Sequence, residues 1–180
     1  MEERILVWDD IYLMQMTESD IPSLIAAIND KVVAAHTLTI PYPYTLNDAK
    51  TFFLLSQNRK QDAGYHLDWL IKKSDQVIGG IGLMCQDGFD SHRTEIGYWI
   101  DKQNRNRGLA SMALQTLTQY IFENLHFIRI EAHTFCDNIP SQKVLEKTGF
   151  LREGLLRKYV KKDDQLKDVY CYSKLHPTFS

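Results

Sequence analysis

Arg105 and Arg107 stand just before Gly108, inside the stretch DKQNRNRGLASMALQTLTQYIF that runs from Asp101 to Phe122. A long amphipathic pattern begins at that glycine. The start of a helix already carries partial positive charge from its unpaired N–H groups, so two cations there are unfavourable unless an anion joins them. Successive N–H groups at a strand-to-helix turn can hold phosphate oxygens, and a glycine lets the backbone come close without a Cβ in the way. Arginines would add charge-assisted contacts. Charge spacing alone leaves a second reading open: a solvated basic turn whose glycine serves only close packing.

Other phosphate and metal signatures fit poorly. No GxxxxGK[ST] occurs. In GGIGLMC, Cys85 stands where a dinucleotide fingerprint wants its third glycine, and the stretch reads as one strand of a hairpin. Gly79, Gly80 and Gly82 are therefore expected to be strand bends or packing sites. The histidines (His36, His66, His92, His126, His133, His176) are scattered, without the spacing of a zinc site. Asp90 and His92 form a lone Asp-x-His pair, and KYVKKDD reads as a solvated turn rather than a nucleic-acid patch.

The elements that must position these residues follow from periodicity. A strand is expected around IYLMQM. TESDIPSLIAAIND then carries Ile21, Leu24, Ile25 and Ile28 at helical spacing, with Thr17 and Asp20 suited to a capping box. Pro41 and Pro43 keep TIPYPYT out of a helix, and LNDAKTFFLLSQNRK follows as a helix capped by Thr45 or Asn47. HLDWLIKK and QVIGGIGLM predict a hairpin turning at Ser74–Asp75, and RTEIGYWI a further strand. On the helix after Gly108, the residues Leu109, Ala113, Leu117, Tyr120 and Ile121 form the packing stripe. FIRIEAHTF is a strand, and IPSQKVLEKT a short helix with Asn138 near its cap, Pro140 in its first turn and Gly149 as its stop. Two last strands, around Phe150–Val160 and Leu166–Leu175, flank KKDDQ. Phe53 and Trp69 are expected in the core. The sum is an α/β (α+β) fold, a mixed sheet of six to seven strands with about four helices.

Bulk properties narrow the class. The 180 residues carry a net charge of −2, 44% hydrophobic and 24% charged residues, which are ordinary globular values and give no global basic field for nucleic acid or membrane. Cys85, Cys136 and Cys171 are odd in number and have no CxxC pair, so they read as reduced thiols of a cytoplasmic protein. The N-terminus is unlike a signal peptide, and no apolar run approaches a membrane span. With no repeat or linker, residues 1–180 read as a single domain.

Several motifs together resemble the GNAT superfamily of N-acetyltransferases. RNRGLA is similar to the [R/Q]-x-x-G-x-[G/A] turn that grips the pyrophosphate of acetyl-CoA, and NIPSQKVLEKTGF to N-x-x-[A/S]-x-x-x-[Y/L]-E-K-x-G-F. EIGYWI resembles the strand that faces the cofactor. IPYPYTLNDAKTFF resembles the substrate-side segment of the RimJ/RimL-like subgroup, the bacterial ribosomal-protein N-terminal acetyltransferases. The likeness covers nearly the whole chain in order.

That resemblance implies roles for particular residues. The pantetheine arm of acetyl-CoA would lie along EIGYWI, with a backbone amide near Tyr98, Trp99 or Ile100 facing the thioester oxygen. Arg105, Asn106, Arg107, Gly108, Leu109, Ala110 and Ser111 would hold the pyrophosphate, and Asn138 would reach the pantetheine. The family's usual tyrosine acid is replaced by Leu145, so Ser141 is the candidate proton donor to the departing sulfur; its other reading is a hydroxyl bonded to its own backbone. Glu95 shares a strand face with Gly97 and Trp99 and is the candidate base, directly or through water. Glu131 and His133, on one face of the next strand, are the runner-up pair. A solvated strand-end glutamate and a structural histidine are the plain alternatives. The slot of the subgroup's own candidate glutamate falls near Val160, so this sequence lacks that residue. The acceptor is an amine, either a protein N-terminus or a small molecule such as a polyamine, antibiotic or metabolite. A catalytically weak acyl-CoA sensor is the competing class. Relatives dimerise variably, which leaves a homodimer open.

Overall fold

The computed structural model describes residues 4–85 and 91–179, with the side chain of Cys85 outside that set. The N-terminus forms a hairpin of β1 (Arg4–Trp8) and β2 (Ile11–Met14), turning at Asp9 with φ 50°. Three helices follow: α1 (Ile21–Ile28), α2 (Lys31–His36) and α3 (Leu46–Ala63). Then come β3 (Asp68–Lys73), β4 (Gln76–Cys85) and β5 (Arg93–Ile100). The chain continues through α4 (Leu109–Asn124), β6 (Arg129–Phe135), α5 (Ile139–Lys147), β7 (Leu151–Lys162) and β8 (Gln165–Leu175).

The strands hydrogen-bond in the order β1-β2-β3-β4-β5-β6-β8-β7. β5 and β6 run parallel, joined through α4, while the β1–β2, β2–β3, β3–β4, β6–β8 and β7–β8 pairs are antiparallel. The mixed α/β class is as expected, but the described residues hold eight strands and five α-helices rather than six to seven and about four. The additions are β1 and α2. RILVW is a five-residue strand beside an acid-rich turn, and KVVAAH is a single capped turn and a half whose two valines argue against helix. Both short segments exist because neighbours hold them.

The chain divides into two compact units, Met1–Leu83 with Tyr98–Thr116 and Met84–Gly97 with Leu117–Ser180. In the first, Met16, Ile21, Leu24, Ile28, Leu70 and Val77 form the centre of a buried cluster, with Phe53 packed at its margin. Each such side chain contributes about 1.5–3 kcal/mol on burial. Capping boxes open two of its helical segments. Asp20 Oδ2 accepts from Thr17 N–H at 2.9 Å, and Asp48 Oδ2 from Thr45 N–H at 2.8 Å. The β3–β4 hairpin turns at Ser74, φ 51°, and Trp69 is buried in β3. In the second unit, β6 alternates up to Thr134: Ile130, Ala132 and Thr134 are buried, whereas Glu131 and His133 point to the opposite, partly open face.

Candidate active site

The turn that precedes α4 is tied down from below. Asp101 Oδ1 accepts from Asn104 N–H at 3.1 Å and caps a 3₁₀ turn over Lys102–Asn104. Arg105 then folds back: its Nε donates to Ile100 O at 3.1 Å and its Nη2 to Asp30 Oδ2 at 2.6 Å. Asp30 is already the N-cap of α2, accepting from Val32 N–H at 2.8 Å. Burial would raise its carboxyl, but the Val32 N–H and the Arg105 guanidinium outweigh that and hold it below the usual carboxylate range. Arg105 is thus a clamp on the turn. Arg107 is exposed, with Nη1 3.4 Å from Asn104 Oδ1. A cleft of about 500 Å³ beside the turn is lined by Asn29, Asp30, Lys31, Tyr42, Asp101 and Lys102, among others.

Gly108 bears on one part of the two readings of this turn, the reason for its glycine. Its φ is +78°, and a Cβ built on it would meet nothing within 4 Å. Close packing is therefore not what requires a glycine; the left-handed backbone is, with open space in front of it. Asn106, at φ 62°, is also left-handed. The first intrahelical bond, Met112 N–H to Gly108 O, is 3.0 Å, so the N–H groups of Leu109, Ala110 and Ser111 precede the ladder. The side chains of Leu109 and Ser111 are buried, which leaves backbone as what this end of α4 offers a ligand.

Ile100 is buried and Trp99 packs on the first unit's core. A Cβ on Gly79 would lie 2.6 Å from Trp99 O, and one on Gly80 2.6 Å from Trp99 Nε1. These glycines are packing sites, as expected, and they make room for Trp99.

In the second unit, β5 and β6 pair in register from Arg93↔Arg129 to Glu95↔Glu131 and no further. Two carboxylates therefore face each other across the last parallel rung, and they meet different fates. Glu131 accepts from Arg93 Nη1 at 2.8 Å and Arg129 Nε at 2.6 Å. Arg129 reaches on to Glu153, which also accepts from Ser173 Oγ at 2.6 Å. Arg129 and then Ser173 hold the Glu153 carboxyl down to about 2. Glu95 Oε1 instead lies 3.0 Å from His133 Nδ1. That hydrogen bond raises the His133 pKa above its ordinary 6.5, against burial that lowers it. Tyr159 stacks on the imidazole with ring centroids 5.2 Å apart.

A family comparison places the chain as a whole. Residues 10–151 match the model described as "Acetyltransferase (GNAT) domain". The chain belongs to the GNAT acetyltransferase family. It is 42% identical over 106 residues to the uncharacterized N-acetyltransferase p20 of Bacillus licheniformis, an alignment covering 59% of each chain. With the ribosomal-protein-serine acetyltransferase of Escherichia coli K12 it shares 30% identity over 112 residues, 62% of each chain. The matched stretch thus spans about three-fifths of each of these two relatives. The crystal structure of the ribosomal-protein-S5-alanine acetyltransferase from Vibrio fischeri superposes with a TM-score of 0.86 at 18% identity, over 99% of this chain and 100% of that one.

Within this GNAT chain the remaining candidates fall as follows. Asn138 caps α5, its Oδ1 accepting from Ser141 N–H at 3.3 Å. Ser141 is half-buried in the first turn of that helix, and Leu145, in the slot of the family's tyrosine, is a core residue at 1% exposure. Sequence reasoning placed Glu95 apart from a Glu131–His133 pair; the structure joins His133 to Glu95 and gives Glu131 to two arginines. Tyr159 was passed over inside KYVKKDD, and only its aromatic character among lysines marks it there. Cys136 and Cys171 are free thiols. Asp90 lies outside the described residues. Among those described, no three His, Cys, Asp or Glu gather as a metal site, and no helix is long and apolar enough to cross a membrane.

Proposed function

We propose that this chain acetylates an amine, the N-terminal α-amine of a protein, using acetyl-CoA in a ternary complex. The observation that carries the reading is the Glu95–His133 contact, 3.0 Å, placed at the point where β5 and β6 cease to pair. The protein-terminus part is supported by the name of the Escherichia coli relative, a ribosomal-protein-serine acetyltransferase.

The residues fit the donor. A pyrophosphate needs N–H donors and space, and the first turn of α4 offers both at Gly108, where the direction of a Cβ is open. Arg107 adds exposed positive charge, while Arg105 fixes the turn through Asp30. Acetyl-CoA supplies, when bound, an activated acyl carbonyl that a neutral amine attacks. The backbone of Tyr98–Ile100 is the donor surface for the carbonyl oxygen.

An amine is protonated at neutral pH and must lose a proton to attack. Glu95 holds Nδ1–H of His133, which fixes the tautomer and leaves Nε2 as the accepting atom. The carboxylate also stabilises the imidazolium that forms. Ser141 Oγ holds the proton for the departing sulfur, and Asn138 sets the first turn of α5 that carries it.

The test is transfer from labelled acetyl-CoA, first into a cell lysate and then into a serine-initiated peptide. Label in a discrete protein band, mapped to an N-terminal peptide, is the expected result. Label confined to small molecules would overturn the protein acceptor, and no enzyme-dependent label would overturn acetyl transfer.

A further inference from the structure

We propose that Tyr159 is a positioning residue for His133, held over the imidazole by Asp168 through a bulge in β7. The proposal rests on the reading of Glu95–His133 as the proton acceptor.

The β7–β8 ladder breaks in one informative place. Leu156 pairs with Val169 and the next pair is Val160 with Lys167, so Arg157, Lys158 and Tyr159 stand opposite the single residue Asp168. Lys158 takes φ 51°, a left-handed conformation that a long side chain rarely adopts. What holds it is a side chain: Lys158 N–H donates to Asp168 Oδ1 at 2.7 Å. The carboxylate thus replaces the ladder bond that the bulge removes.

The effect is to re-aim the residue that follows, which is a recurrent use of bulges beside functional sites. Tyr159 comes to lie on the His133 ring, 5.2 Å between centroids and tilted by 32°. The tyrosine is 55% exposed, so core packing does not explain its place, and the histidine beneath it is only 13% exposed. Its ring therefore covers one face of the imidazole while Glu95 fixes Nδ1, and the two together leave the ring a single orientation. An aromatic face also favours the imidazolium form. The groups that face His133 are Arg93 and Glu95 on β5, Glu131 on its own strand, Cys171 opposite it on β8 and Tyr159 itself.

A bulge on the outermost strand also blunts a sheet edge, and a purely structural role of that kind would move only the melting temperature. The deciding experiment reads the His133 imidazole by NMR titration of the full chain, together with kcat for acetyl-CoA and a serine-initiated peptide. Tyr159→Ala is expected to move the titration midpoint, which the ring sets by covering and facing the imidazole, and to reduce kcat about tenfold. Tyr159→Phe keeps the stack and restores both. Asp168→Ala reproduces the tyrosine loss, whereas Asp168→Asn, which keeps an accepting Oδ1, stays close to wild type. The Tyr159→Ala/Asp168→Ala double variant is no worse than Tyr159→Ala alone, because the two act in series. Losses that multiply, or a Tyr159→Ala midpoint equal to wild type, would overturn the proposal. A shifted midpoint with unchanged kcat would sustain the placement of the ring and overturn His133 as proton acceptor.

Discussion

The turn before α4 and the polar face of β5–β6 solve opposite problems with the same residue types. In the turn, charged side chains are consumed by the fold: Arg105 by Asp30 and Ile100 O, Asp101 by Asn104 N–H. What is presented outward is backbone shaped by the left-handed Asn106 and Gly108, together with the exposed Arg107. On the strand face it is the side chains that are presented, and the fold sorts them. Of two glutamates on one rung, Glu131 is neutralised by two arginines and Glu95 is left to a histidine. On the proposed reading, the anion site would be built from backbone geometry and the proton-moving site from unequal partners.

This contrast predicts a split between kinetic constants. His133→Ala removes the accepting atom, and kcat is expected to fall about 100-fold or more with KM for acetyl-CoA unchanged. A matching rise in KM would break the division of labour. Gly108→Glu acts on the other side. A left-handed φ costs an L-residue about 1–2 kcal/mol, and the added carboxylate repels the pyrophosphate, so KM for acetyl-CoA should rise about 10- to 100-fold with kcat retained at saturation. An unchanged KM would mean that the turn is not the donor site. Ser141→Ala is expected to lower kcat by about tenfold at saturating acetyl-CoA, and unaltered turnover would remove the serine from proton transfer.

The smallest effect concerns Glu153, on the neutralised side of the rung. Its carboxyl is depressed from 4.5 to about 2 by Arg129 and Ser173. A group so depressed contributes stability above its unfolded pKa that is lost as pH falls through the folded one. Because the pair is partly solvated, Glu153→Gln should lower Tm by only about 1–2 °C at neutral pH, and the difference should close as the pH drops from 4.5 towards 2. A gap that persists in acid would show that the charge is not what stabilises.

Local chemistry made much of the fold legible. Thr17–Asp20 reads as a capping box and Thr45 as one of two candidate caps because the partners lie within one helical turn. Gly149, φ 84°, stops α5 because only the backbone of that position matters. Gly108 is likewise a conformational glycine, φ +78°, although the sequence offered only ligand approach or close packing as its reason. β1 and α2 were missed because each is too short to show a period and depends on neighbours distant in sequence. The Glu95–His133 contact was missed for a related reason. Alternation gave each residue its face, but which glutamate meets the histidine depends on the parallel register and on where the arginines reach. The placement of Tyr159 depends on a bulge held by Asp168, a residue ten positions from Lys158 along the chain.

The pH dependence of kcat for wild type and Glu95→Gln tests the central claim most directly, with both substrates saturating. A proton acceptor works only when deprotonated, so activity must fall as the pH drops through its pKa. Glu95 raises the His133 pKa from its ordinary value, so the wild-type acid limb is expected at higher pH than without the carboxylate. Removing the carboxylate's charge should move the limb to lower pH. Acid limbs that coincide in the two proteins would contradict the assignment of Glu95 and His133 as the proton-accepting pair.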